Sequence, residues 1–138
     1  MHDIPTLGHD DAERAIAAIR AAASARGKPV VVAVADPHGE AIALLRMDGA
    51  AYPSAEVAMN KAFTAARLRR PTSVVGANVR HPETGFDIGY YGDPRFVGFG
   101  GGLPVLVDGR VLGAVAVSGL SQAEDEELAA IGVEAILR

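Results

Sequence analysis

The segment from Val30 to Ala65 constrains the fold more than any other part of this 138-residue chain. Its first six residues, Val30 to Ala35, are all apolar, which predicts a strand that is covered on both faces of its sheet. The turn-forming sequence DPHG follows at positions 36–39, so the next apolar strand, Ala41 to Met47, is expected to return antiparallel and equally buried. Pro53 and Ser54 then favour the start of a helix. This segment therefore predicts a sheet with a helix, or a partner subunit, on each face.

The remaining segments predict three more helices and a second hairpin. Apolar residues recur at helical spacing between Ala12 and Ala23, a short helix is expected from Thr72 to about Val79, and a final helix is expected after Ser121. Asp108-Gly109 joins two apolar strands as a type I′ hairpin turn, and residues 97–99 are predicted to form a further short strand. Residues 80–96 read as a long functional loop. The order predicts one α+β domain over residues 1–138, with an antiparallel five-stranded sheet flanked by helices.

Composition excludes several classes of function. The formal net charge is −4, whereas a nucleic-acid-binding domain is expected to carry a basic face. The absence of cysteine excludes disulfides, thiolate metal sites and cysteine nucleophiles. The histidines show no metal-binding spacing, and the glycine run at 98–102 matches neither GxGxxG nor a Walker motif. No signal peptide or membrane span is evident, so we expect a cytoplasmic protein.

Charged side chains within the apolar segment are the leading candidates for chemistry. Lys61 falls on the apolar side of its helix, where a lysine either extends past small residues to water or meets a partner beneath the helix. Arg46 and Asp48 share one face of their strand. With Lys61 they are predicted to form a polar floor on which Arg46 binds a carboxylate. The alternative is a structural Arg46–Asp48 pair, and Asp36 is interpreted as a turn-forming acceptor.

Three motifs in order resemble the GlcG/HbpS family, which includes the C-terminal domain of PduO-type proteins. They are VVVAVADPHGEAIALLRMDGA from position 30, NKAFTA from position 60, and GGGLPVLVDGRVLGAVAVSG from position 100, followed by an acidic helix. The resemblance implies a profilin-like outline, assembly into dimers or larger homo-oligomers, and binding of haem or another tetrapyrrole. It also implies that Thr64, Gly101 and Gly102 belong to the ligand site, and Tyr90 in the long loop is a further candidate.

Two functional hypotheses follow for this chain. The first is an oligomeric protein that binds haem or another planar anionic ligand through Arg46 and Lys61, with His9, His81, Met47 and Tyr90 as candidate haem ligands. The second is a cofactor-free isomerase or lyase that acts on a small carboxylate, with Lys61 as acid/base and Arg46 as anchor. A structural or regulatory role is a third interpretation.

Overall fold

The computed structural model describes all residues from 1 to 138 and has four helices packed on a four-stranded antiparallel sheet. The strands are β1 (Val31–Ala35), β2 (Ala41–Arg46), β3 (Gly102–Val107) and β4 (Arg110–Ser118), in the order β2-β1-β4-β3. The helices are α1 (His9–Arg26), α2 (Pro53–Leu68), α3 (Thr72–Val79) and α4 (Gln122–Leu137), with a short 3₁₀ helix at Ile88–Tyr91. None of the helices is both long enough and apolar enough to span a membrane.

The sheet has one helical layer on each face. Alternate residues of β1, such as Val32 and Val34, pack with α1 and α4 in the main core. The other face of β1, including Ala33, packs against alanines of α2 such as Ala58 and Ala62. Small side chains on both sides let α2 lie close to the sheet. The α+β class predicted from the sequence is therefore confirmed.

The prediction of a fifth strand at residues 97–99 is wrong. The backbone N–H of Val97 donates to Thr64 Oγ1 (3.0 Å), not to a neighbouring strand. The next hydrogen bonds are of the same kind, because Gly100 N–H donates to Gln122 Oε1 (2.7 Å) and Gly102 N–H to Thr72 Oγ1 (2.9 Å). Side chains of three helices thus bind the backbone that leads into β3, and the sheet ladder begins only at Gly102. The profilin-like outline stays a prediction.

The prediction that β2 is buried on both faces is also wrong. β2 lies at the edge of the sheet, paired only with β1, and its residues are exposed or half-buried. Its apolar sequence made it look like a central strand, because apolar composition does not reveal a strand's place in the sheet order. Its α2 face, which carries Leu44 and Arg46, remains largely open to solvent.

Candidate functional site

Lys61 meets a partner, Asp125, beneath α2, which is one of the two arrangements expected from the sequence. Its side chain is 3% exposed, and Nζ donates to Asp125 Oδ2 (3.1 Å) and to the carbonyl oxygen of Val117 (3.0 Å). Asp125 on α4 is equally buried, and its Oδ1 accepts the backbone N–H of Leu120 (3.0 Å). The ion pair therefore ties α2 to α4 across the end of β4.

Burial and pairing have opposite effects on the protonation of these two groups. Removal from water lowers the pKa of Lys61, and the nearby Asp125 carboxylate partly offsets that shift. Removal from water likewise raises the pKa of Asp125, against the opposing effects of Lys61 and the Leu120 N–H. A buried charge pair with its hydrogen bonds satisfied is costly to break from either side.

Gly101 and Gly102 pack directly against this ion pair. A Cβ atom at Gly101 would lie 2.7 Å from Lys61 Nζ and 2.6 Å from the carbonyl oxygen of Val117. At Gly102 it would lie 2.6 Å from the Lys61 carbonyl oxygen. Gly101 also has a φ of +128°, which side-chain-bearing residues rarely adopt. The glycines in this structure make room for the lysine and its helix; their predicted ligand contact stays a prediction.

Thr64 holds the end of the long loop and the residue that follows it. The side chain is fully buried, and its hydroxyl donates to the carbonyl oxygen of Arg95 (3.3 Å) and accepts from Val97 N–H. Aromatic packing continues from Phe63 through Phe96 to Tyr91, with ring centroids 4.9 Å apart at each step. Tyr90, by contrast, is 85% exposed at the surface of the loop.

The predicted polar floor of Arg46, Asp48 and Lys61 does not assemble in this structure. Arg46 and Asp48 are exposed and line a shallow depression with Tyr52 that does not include Lys61. The guanidinium carbon of Arg46 lies 5.4 Å from the centre of the Tyr52 ring. Arg46 forms no ion pair with Asp48, so the alternative of a structural pair is wrong as well. The Lys61 side chain points away from Arg46 and Asp48, because α2 directs it toward Asp125 on α4.

The largest cleft lies elsewhere, where four separate segments meet. It has a volume of about 560 Å³, and arginine is the commonest residue in its lining. The lining consists of His2, Ile4, Pro5, Pro37, His38, Ala66, Arg67, Arg69, Gly109, Arg110 and Val111. No carboxylate lines it, although the chain as a whole is acidic. We call this feature the arginine cleft. Its size is typical of a small-molecule site.

Two of the three arginines in the arginine cleft are available to a ligand. Arg67 is already engaged, since its Nε donates to the carbonyl oxygen of His38 (2.6 Å) and its guanidinium lies over the Phe63 ring. Arg69 and Arg110 take part in none of the ion pairs of the chain. Arg69 follows α2 in a left-handed conformation (φ 59°), and Arg110 begins β4 directly after the hairpin turn. Together they offer two guanidinium groups to a carboxylate or phosphate.

The histidines of the chain divide into occupied and free side chains. His81 Nδ1 accepts the backbone N–H groups of Glu83 and Thr84 (3.1 Å each), and His9 Nδ1 lies 3.0 Å from an Asp10 carboxylate oxygen. His2 and His38 instead line the arginine cleft. The histidines considered from the sequence, His9 and His81, are therefore the two with local partners.

Sequence reasoning missed Asp125 and the arginine cleft. Asp125 was detectable, because it lies on the same helical stripe as Leu128, Ala129 and Gly132, where a carboxylate is out of place. The arginine cleft gave no local signal. Its residues come from the N-terminus, the β1–β2 turn, the end of α2 and the β3–β4 turn.

The fold and the cleft define a class: a small α+β domain with a positively charged, partly apolar cleft on its surface. A family model described as haem degrading protein HbpS-like matches residues 7–134, and the chain belongs to this HbpS-like family. Protein GlcG of Escherichia coli is 39% identical over 112 residues, which is 81% of each chain. The family predicted from the three sequence motifs is confirmed.

Solved structures of relatives agree with this assignment. Klebsiella pneumoniae protein ORFY superposes with a TM-score of 0.91 at 29% identity, covering 99% of this chain and 94% of that one. The crystal structure of the PduOC:haem complex superposes with a TM-score of 0.87 at 28% identity, covering 94% of each chain. A relative of this fold therefore binds haem.

Proposed function

We propose that this protein binds haem, another tetrapyrrole or a comparable planar anionic ligand in the arginine cleft. The observation that carries the proposal is the lining of the cleft, which has three arginines, two histidines and no carboxylate. The proposal moves the ligand from the Arg46–Lys61 region, predicted from the sequence, because Lys61 is buried against Asp125. The haem-bound relative of the same fold supports the choice of ligand.

The chemistry of the cleft fits haem. Haem has propionate carboxylates on one edge and an apolar ring, and it supplies an iron that accepts an axial ligand. Arg69 and Arg110 would bind the carboxylates through charge-assisted hydrogen bonds, which are about twice as strong as neutral ones. Ile4, Pro5 and Val111 supply apolar wall area for the ring. Cations and apolar surface therefore lie together in this one cleft.

A haem titration tests the proposal. Wild-type protein is expected to shift the Soret band saturably at micromolar haem, with one haem per chain. Arg69→Gln/Arg110→Gln is expected to weaken haem binding by about tenfold or more. A tenfold loss corresponds to about 1.4 kcal/mol of binding free energy. This is slightly less than the roughly 1.5–3 kcal/mol that one hydrogen bond to a charged group contributes. Because these arginines are exposed, the difference should shrink as ionic strength rises.

The matched control changes net charge equally at exposed arginines outside the cleft. Arg20→Gln/Arg46→Gln removes two positive charges from α1 and β2 and should leave haem affinity within about twofold, because long-range attraction alone is screened by salt. This control also tests Arg46 as a ligand residue. Absence of a saturable Soret shift, or an equal loss in both double variants, would overturn the arginine cleft as the haem site.

The second proposal is an enzyme that uses Lys61 as acid/base, and the lowered pKa of Lys61 is the observation that favours it. Such an enzyme requires Lys61 to reach a substrate, with Arg46 as anchor. Lys61→Met should then abolish turnover of a small carboxylate while the Lys28→Met control, which removes an exposed lysine, retains it. Turnover that survives Lys61→Met at full rate would rule this proposal out.

We also propose that the protein is cytoplasmic and assembles into a homodimer or a larger homo-oligomer. The open face of β2 and the adjoining surface of α2 expose Leu44 and Met59, with Tyr52 nearby. Packing of these side chains against a second copy of the chain would remove their apolar surface from water. Analytical ultracentrifugation should give a dimer or larger species for wild type and a monomer for Leu44→Glu/Met59→Glu. A monomeric wild type would contradict this part.

A further inference from the structure

The β1–β2 turn that carries His38 is held rigidly at the edge of the arginine cleft. Asp36 Oδ1 accepts the backbone N–H groups of His38 (2.8 Å) and Glu40 (3.0 Å), which confirms Asp36 as a turn-forming acceptor. Gly39 N–H closes the turn on the Asp36 carbonyl oxygen (3.0 Å). Hydrogen bonds within the turn itself thereby hold the backbone of His38 in place.

Two contacts from α2 fix the same turn from the other side. Arg67 Nε donates to the His38 carbonyl oxygen (2.6 Å). Gly39 has a φ of +88° and packs so closely on Phe63 that a Cβ atom would lie 2.7 Å from the ring. The backbone of this turn is fixed, and only the His38 imidazole remains exposed in the cleft.

His38 is the only cleft histidine that is positioned in this way. His2 also lines the cleft, but none of the backbone hydrogen bonds outside helices and strands involves it, and it lies seven residues before α1 begins at His9. A preorganised ligand residue loses less conformational freedom on binding than a residue on an unanchored segment. Of the two imidazoles, His38 is therefore the better placed to coordinate a metal.

We propose that the His38 imidazole is the axial ligand of a metalloporphyrin bound in the arginine cleft, with Arg69 and Arg110 on its carboxylates. This inference rests on the proposed function, since it requires a porphyrin in that cleft. Neutral imidazole is the commonest metal ligand in proteins and a frequent axial ligand of haem iron. Coordination requires one free ring nitrogen, and neither nitrogen of His38 is hydrogen-bonded within the chain.

Haem and metal-free protoporphyrin together test this inference. His38→Ala should change the Soret maximum and the electron paramagnetic resonance signal of the haem complex. The haem affinity of His38→Ala should fall by at least about tenfold. Removal of a residue that only hydrogen-bonds a metal ligand already lowers metal affinity by about this factor, so loss of the ligand itself should cost at least as much. Binding of metal-free protoporphyrin, followed by fluorescence, should stay within about twofold, because it uses the arginines and the apolar wall alone. Free imidazole added to His38→Ala should restore the wild-type spectrum.

His9→Ala is the matched control, because His9 is exposed and lies outside the lining of the arginine cleft, and it should leave the haem spectrum and both affinities unchanged. A His38→Ala complex with the wild-type spectrum would overturn the inference, as would a spectral change found in His9→Ala instead. In either case binding of metal-free protoporphyrin that still depends on Arg69 and Arg110 would leave the proposed function standing. Failure of wild type to bind either porphyrin would overturn both.

Discussion

The buried ion pair of Lys61 and Asp125 predicts that replacing either residue alone greatly lowers the free energy of unfolding. The two replacements should differ in how this loss depends on pH. Both side chains are 3% exposed, and Asp125→Asn retains an acceptor for the Leu120 N–H while removing the negative charge. The ammonium of Lys61 would then be buried with only neutral acceptors. Removing one partner of a buried pair costs about 3–5 kcal/mol, so we expect this loss in the free energy of unfolding. That is a large part of the roughly 5–15 kcal/mol of a typical domain.

Urea unfolding followed by far-ultraviolet circular dichroism measures this loss. With a denaturant slope of about 1–3 kcal/mol per molar urea, the midpoint should fall by at least about 1 M. The matched control is Lys28→Met, which breaks a pair of similar length, Lys28 Nζ to Glu124 Oε2 at 2.8 Å, that is largely exposed. Exposed pairs contribute little to stability, so the control midpoint should hardly move.

The pH dependence separates a charge effect from lost packing. In Asp125→Asn, the folded pKa of Lys61 is below its unfolded value of 10.5, so the penalty is present at neutral pH and shrinks as pH rises through the folded pKa. In Lys61→Met, burial keeps the folded pKa of Asp125 above its unfolded value, so the penalty shrinks as pH falls. Deficits that stay constant with pH, or a Lys28→Met deficit of equal size, would refute this reasoning.

Two further predictions concern the segment that packs on this ion pair. Gly101→Ala should lower the free energy of unfolding by about 1–3 kcal/mol from its φ of +128° alone, with more from the overlap with Val117. Thermal unfolding measures the loss, and a wild-type melting temperature would contradict it. Thr64→Val should cost about 1–3 kcal/mol by leaving Val97 N–H without its acceptor. It should also speed proteolysis at residues 86–96, and unchanged cleavage there would refute the role of Thr64.

Features determined by neighbouring residues were predictable from the sequence. Gly27 ends α1 in the left-handed conformation, with a φ of 66°. Asp108 and Gly109 adopt φ values of 51° and 76° in the second hairpin, as the type I′ turn requires. The Ser121 hydroxyl caps α4 by accepting Glu124 N–H (3.2 Å). Each of these depends on a few consecutive residues, so a local rule suffices.

Features that depend on tertiary placement were not predictable. The sequence singled out Lys61 but not Asp125, because the two lie 64 residues apart and meet only when α2 and α4 pack on the same end of β4. Arg69 and Arg110 carry no local signal, because they line one cleft only where the end of α2 and the second hairpin meet. Residues 97–99 have strand-like composition, yet Thr64 supplies the Val97 N–H with an acceptor that no strand rule anticipates.

The location of bound haem is the most direct test of the central claim. Backbone amide signals can be assigned in a chain of 14.2 kDa, and iron in haem broadens those of nearby residues. Zinc protoporphyrin, which has no unpaired electrons, provides the control for shifts without broadening. With haem, broadening is expected to centre on residues 38–39, 67–69 and 109–111, and to spare residues 46–52. Broadening centred on Arg46 and Tyr52, or on the loop that carries Tyr90, would contradict binding in the arginine cleft.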